Sequence, residues 1–111
     1  PEDPRVRQIL TLLETLPLDH PVREPELARA AGCSVSQLNK CFLQQTGSSP
    51  IRIWNRRRLN AARAELLHGT QSVKALAYRL GFSSPEHFTH WFGKQTGRSP
   101  TRFREAGKAP V

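Results

Sequence analysis

The stretch Leu27-Ala28-Arg29-Ala30-Ala31-Gly32-Cys33-Ser34 returns 49 residues later as Leu76-Ala77-Tyr78-Arg79-Leu80-Gly81-Phe82-Ser83. The correspondence then continues at an offset of 50. Ser34, Leu38, Phe42, Thr46-Gly47, Ser49-Pro50 and Arg52 reappear as Ser84, Phe88, Phe92, Thr96-Gly97, Ser99-Pro100 and Arg102. One residue is inserted in the turn of the second copy, and Ser83 is the candidate. An ordered series this long is an internal repeat, and a repeat organises everything else in the chain.

Each copy reads as helix, tight turn, helix. In the first, Leu27, Ala28 and Ala31 share one helical face, and Gly32 stands where the helix stops. Ser34 caps the next helix, and Gln37 three positions on completes a capping box. Val35, Leu38 and Phe42 form its inward stripe, and Gly47 ends it. In the second copy Leu76, Ala77 and Leu80 form the stripe and Gly81 ends the helix. Ser84 caps, Pro85 takes the first helical position, Phe88 and Phe92 face inward, and Gly97 closes the unit.

Working outward, Ser49-Pro50 opens a helix that meets no Gly or Pro before Gly69, so it runs to about His68. At 1.5 Å per residue it is roughly 27 Å long. A shorter amphipathic helix precedes the first copy, with Val6, Ile9, Leu10 and Leu13 inward and Pro17 ending it. A last short helix starts at Ser99-Pro100 and turns Phe103 inward. The expected fold is all-α: seven helices, arranged as two helix-turn-helix subdomains joined by a long linking helix. The division is 1–50 for the first helix and first subdomain, 51–68 for the linking helix, and 69–111 for the second subdomain and last helix. Halves of roughly 50 residues are marginal alone, so the linking and terminal helices must complete their cores.

The chain has 111 residues, with 17 Lys and Arg against 9 Asp and Glu, a formal charge of +8. Thirteen of the bases are Arg. Arg forks onto phosphates and base edges better than Lys, so the composition points to a polyanion partner. No apolar run approaches bilayer length and no signal peptide opens the chain. Two cysteines are too few for a disulfide scaffold. The expected setting is cytoplasmic, with no membrane partner. There is no Met, and the start Pro1-Glu2-Asp3-Pro4 reads as that of a fragment. No nucleophile elbow, P-loop or zinc-hydrolase motif is present, so no enzyme and no cofactor are expected. Cys33 and Cys41 lie in one subdomain and His87 and His90 in the other, at spacings unlike a zinc site. Cys41, beside Phe42, reads as core filler, and Cys33 as a turn residue.

A helix-turn-helix places its second helix in the DNA major groove, where side chains facing away from the core reach base edges. At 100° per residue, Leu38 and Phe42 fix the inward direction of the helix over about 35–46. Opposite lie Ser36, Lys40 and Leu43, flanked by Gln37, Asn39 and Gln44. Phe88 and Phe92 do the same over about 85–96. Opposite lie Glu86, His90 and Gly93, flanked by His87, Thr89 and Lys94. Asn39 suits adenine, Lys40 guanine, Glu86 the amino group of cytosine, and Thr89 a thymine methyl. Base-contacting candidates are therefore Ser36, Asn39, Lys40, Glu86, Thr89 and His90. Phosphate-contacting candidates are Ser34 and Ser84 at helix N-termini, with Gln37, Gln44, Arg56, His87, Lys94 and Arg98. The run Arg56-Arg57-Arg58 cannot share one face; Arg56 joins Arg52 and Arg63, while Arg58 reads as structural.

These residues carry a resemblance. Leu76-Ala77, Gly81-Phe82-Ser83-Ser84, Phe88, Phe92, Lys94, Gly97, Ser99-Pro100 and Phe103-Arg104 resemble the signature of AraC/XylS-type bacterial transcription regulators. Arg58-Leu59, Ala62 and Leu66-Leu67 in the linking helix are similar to that family too. The resemblance covers roughly residues 5–104. It implies the C-terminal DNA-binding domain of a regulator that reaches two successive major-groove segments of a double-stranded operator. It further implies a missing N-terminal effector and dimerisation domain. A stand-alone monomeric activator, or an adaptor contacting RNA polymerase, is the alternative. His90 and Gly93 stand where the family usually shows basic residues, Trp91 is bulkier than common, and Arg23 replaces the usual capping Ser or Thr.

Overall fold

A computed structural model describes residues 2–108. Among these, seven helices and no strand are formed. They are α1 (Pro4–Thr15), α2 (Glu24–Ala31), α3 (Val35–Thr46), α4 (Pro50–His68), α5 (Val73–Arg79), α6 (Pro85–Thr96) and α7 (Pro100–Gly107). The chain divides into two compact units, Pro1–Arg57 and Arg58–Val111. The boundary falls inside α4, so the linking helix contributes its first half to one unit and its second half to the other.

Local chemistry sets the helix ends. The side chains of Ser34, Ser72, Ser84 and Ser99 each accept the backbone N–H three residues on. In α3 the box is reciprocal: Gln37 N–H donates to Ser34 Oγ and Ser34 N–H donates to Gln37 Oε1, both at 3.1 Å. Arg23 at the head of α2 makes no such side-chain bond. Pro25 and the acids Glu24 and Glu26 set that end instead, the carboxylates meeting the positive end of the helix dipole.

The turns confirm the register of the repeat. Gly32 (φ 73°) and Gly81 (φ 86°) occupy the left-handed region that a side chain disfavours. Cys33 N–H then returns to Ala28 O, and Phe82 N–H to Ala77 O, each at 3.0 Å. Cys33 and Phe82 are thus equivalent, which leaves Ser83 as the extra residue before the Ser84 cap. In the second copy the helix stops one residue sooner than expected. Leu80 already sits at the cap with φ −87° and is buried, so α5 ends at Arg79.

The first core gathers Val6, Ile9 and Leu13 of α1, Leu27 and Ala28 of α2, Leu38 and Phe42 of α3, and Trp54 of α4. Leu10, Ala31, Val35 and Cys41 pack against it partly buried. The second core is more aromatic. Phe88 lies 5.2 Å from Phe82 and 5.8 Å from Phe92, and Phe92 meets Phe103 of α7 at 5.4 Å. Leu59, Ala62, Leu66, Leu76, Ala77 and Leu80 are buried in the same unit.

The repeat is longer than the two helix-turn-helix motifs. Val6, Ile9 and Leu13 of α1 correspond at a common spacing to Leu59, Ala62 and Leu66 of α4, and all six are buried. Each unit is therefore a first helix, a helix-turn-helix, and a closing helix. The closing helix in each case sends an arginine back to the first. Arg57 donates to the carbonyls of Leu13 (3.1 Å) and Leu16 at the end of α1, and lies 5.3 Å over the Trp54 ring. Arg104 Nε donates to Leu66 O at 3.1 Å, near the end of α4. These carbonyls have no intrahelical donor, and the guanidinium meets the negative end of the helix dipole.

Replacing Arg57 or Arg104 by Ala is expected to cost about 1.5–3 kcal/mol, the range for hydrogen bonds to a charged group. Thermal melts check the size. Amide exchange checks the place: the end of α1 should open in Arg57→Ala and the end of α4 in Arg104→Ala.

Candidate nucleic-acid interface

With Leu38, Phe42, Phe88 and Phe92 buried, the opposite faces of α3 and α6 point to solvent. Ser36, Lys40, Glu86 and His90 are exposed. Asn39 and Thr89, at equivalent positions, are both half-buried. Among the flanking residues Ser34, Gln37, Gln44, His87 and Lys94 are exposed, and Ser84 is half-buried. Each surface therefore holds its expected base-contacting residues together on one helix, with the cap serine at its head.

Several of these side chains already have intramolecular partners, which limits what they can offer. Ser34 Oγ and Ser84 Oγ accept from the backbone N–H groups of Gln37 and His87 at 3.1 Å. Each hydroxyl keeps its proton, so it can still donate to a phosphate. Gln37 accepts through its oxygen, which leaves its NH2 group as the free end. His87 stands at the equivalent place but builds no reciprocal box. Its Nδ1 lies 3.4 Å from Ser83 Oγ, and its ring meets Phe82 edge-on at 5.3 Å.

One partner could not have been found by spacing along a helix. Asn39 Nδ2 donates to Glu24 Oε2 at 3.4 Å, from α3 back to the first residue of α2. A carboxylate only accepts, so it holds the amino end of the Asn39 amide towards itself. Across the repeat the pair Glu24 and Asn39 corresponds to Val73 and Thr89, so both polar members are replaced together.

Exposed cations also lie at and after each recognition helix, Lys40, Arg52 and Arg56 in one unit and Lys94, Arg98 and Arg102 in the other. Arg56 is exposed and donates to Ser48 Oγ at 3.3 Å. Thr96 Oγ1 accepts the Arg98 N–H at 3.2 Å and donates to Phe92 O at 2.9 Å, which fixes the backbone beneath the exposed Arg98. Thr46 does the same for Ser48 in the first unit. Gly97, Arg98, Ser99 and Arg102 line an open hollow of about 560 Å³ at the head of α7. Arg102, the repeat counterpart of Arg52, thus stands beside Arg98.

The cysteines take no part in either surface. Both are half-buried thiols. Arg5 Nη2 lies 3.5 Å from Cys41 Sγ and 2.8 Å from Asp3 Oδ2. A hydrogen bond with Asp3, and then burial, raise the Cys41 thiol above its usual range. Among the described residues no three His, Cys, Asp or Glu side chains group as metal ligands. No helix there is long and apolar enough to cross a membrane.

Comparison with known proteins places this architecture. A family profile described as a helix-turn-helix domain matches residues 27–106. The transcriptional activator RhaS of Klebsiella pneumoniae is 36% identical over 110 residues, which are 96% of this chain and 38% of that protein. The chain thus spans well under half the length of that relative. The solved DNA-binding domain of AdpA, in complex with a target DNA, superposes with a TM-score of 0.77 at 28% identity, covering 94% of this chain and 93% of that one. An AraC-type regulator from Chromobacterium violaceum superposes with a TM-score of 0.75 at 27% identity, covering 97% and 96%. Two helix-turn-helix units around a shared helix, the matched profile and the RhaS relationship have one reading: the chain belongs to the AraC/XylS family of helix-turn-helix transcription regulators.

Proposed function

We propose that this chain binds double-stranded DNA sequence-specifically, and that it is the output domain of a longer, effector-responsive transcription regulator. The observation that carries the reading is the match between the two solvent faces. From Ser34–Gln44 to Ser84–Lys94 the burial pattern repeats almost position by position, while the exposed chemistry changes. Two equivalent surfaces of different chemistry are what a reader of two different half-sites requires. The AdpA domain, similar in fold and solved on its target DNA, supports the same reading. The part-length match to RhaS supports an output domain.

In this reading α3 and α6 each enter a major-groove segment. Ser36, Asn39 and Lys40 contact bases in one, and Glu86, Thr89 and His90 in the other. Ser34, Gln37, Gln44 and Arg56, with Ser84, His87, Lys94 and Arg98, hold the phosphates on either side. The backbone contacts set affinity and register; the base contacts set sequence.

Binding-site selection with this chain is the direct test. The expected result is two motifs about ten base pairs apart, one helical turn. A single motif, or none, overturns the bipartite reading. Lys40→Ala or Asn39→Ala should cost about 1–3 kcal/mol and relax one motif only, and His90→Ala the other. Arg98→Ala should weaken all sequences alike and lower the salt slope by about one.

Glu24→Gln supplies a finer measurement. Glutamine can present either end of its amide, so Asn39 loses its fixed orientation. The expected outcome is relaxed selection at the one base pair that Asn39→Ala also relaxes, with the second motif unchanged. Unaltered selection in Glu24→Gln, beside a clear effect of Asn39→Ala, would show that Glu24 does not orient the amide.

A further inference from the structure

Arg58 is a charged group of the second unit that the DNA-reading surface does not use. Its guanidinium carbon lies 4.1 Å from the Phe82 ring centroid and 5.3 Å from that of Trp91. Nη2 donates to Leu80 O at 3.0 Å. Nε is buried without a hydrogen-bond partner. Among the described residues the ion pairs are Arg5–Asp3 and Arg7–Glu2, so no carboxylate compensates Arg58. Desolvation lowers its pKa.

The repeat gives this residue a counterpart. The spacing that matches Val6, Ile9 and Leu13 to Leu59, Ala62 and Leu66 also matches Arg5 to Arg58. Arg5 reaches Cys41 on α3, and Arg58 reaches Trp91 on α6, which are equivalent positions of the two recognition helices. In the first unit Asp3 neutralises the arginine at 2.8 Å. In the second the acid is gone and two rings stand in its place. Both units thus send an arginine from the first helix to the same point on the recognition helix, though only one supplies a counter-charge.

An unpaired, partly desolvated guanidinium with an orphaned N–H contributes little net stability, because desolvation offsets its contacts. What it does supply is direction. Its bond fixes the end of α5, and its flat face contacts the turn through Phe82 and α6 through Trp91. We propose that Arg58 is a positioning residue for the second recognition helix, holding α6 against α5 and the turn so that Glu86, Thr89 and His90 meet their base pairs. The proposal rests on the DNA-binding reading above.

The test separates placement from stability. In Arg58→Met the side chain fills similar space without the directional bond or the charge. The melting temperature should stay within about 4 °C of the parent or rise. Footprinting on the selected duplex should show about tenfold weaker protection of the α6 motif, with the α3 motif unchanged. The salt slope should not move, because Arg58 touches no phosphate. In the free protein, amide exchange across residues 81–91 should rise. Arg58→Lys should show the same selective loss, since one ammonium cannot bond Leu80 and cover both rings together. A variant that fails to fold overturns the proposal, as does weakening of both motifs in step with stability. A salt slope lowered by about one, or unchanged exchange with unchanged reading, overturns it too. If the parent chain selects no pair of motifs, the DNA reading itself fails; amide exchange then decides whether Arg58 seats α6.

Discussion

The last carbonyls of an α-helix have no donor within the helix, and in this protein three arginines supply them. Arg57 reaches the end of α1, Arg58 the end of α5, and Arg104 the end of α4. Two of these bonds tie the closing helix of each unit back to its first helix, and the third ties α5 to α4. α2, α5 and α7 have eight residues or fewer and would be unstable alone. Their stability comes from packing, and of the three only α5 has its end met by one of these arginines. Because Arg57 and Arg58 are neighbours on one helix, a single uninterrupted α4 serves the core of both units.

That arrangement explains which parts of the fold were legible in the sequence. Gly32 and Gly81, the caps Ser34 and Ser84, and the stripes Leu38–Phe42 and Phe88–Phe92 act within a few residues of themselves. Local signals of this kind can be read from spacing, and they set the helix-turn-helix units and the solvent faces. The repeat in α1 and α4 was not legible, because a spacing of apolar residues without a shared motif matches too many registers. Nor was the role of Arg57. Three consecutive arginines look alike in sequence; only the fold sends one to solvent, one to α1 and one to the Phe82 and Trp91 rings.

The candidate site divides in the same way. Which side chains face outward follows from helix geometry once the buried stripe is known, so the positions of Ser36, Lys40, Glu86 and His90 were accessible to arithmetic. What each can still offer was legible only in part. The capping box read from Ser34 and Gln37 already commits the Gln37 oxygen to the Ser34 N–H, since an N–H can only donate. That Asn39 turns its amino end to Glu24 was not legible, because that partner is placed by the tertiary fold and leaves no periodic trace.

The charge of the chain must be reread in this light. A formal +8 suggests a surface covered in cations awaiting phosphates. Yet Arg5 is bound to Asp3, and Arg57, Arg58 and Arg104 donate to backbone carbonyls. These four arginines stabilise or orient helices. Of the exposed cations that remain, Lys40, Arg52 and Arg56 in one unit and Lys94, Arg98 and Arg102 in the other lie on the recognition helix or on the turn and helix that follow it. Counterion release depends on phosphates actually neutralised, not on net charge. In the proposed reading the two units thus bring equal numbers of such cations to the backbone, and what separates them is the recognition helix itself: Asn39 held by Glu24 in the first, and a helix seated on aromatic rings in the second.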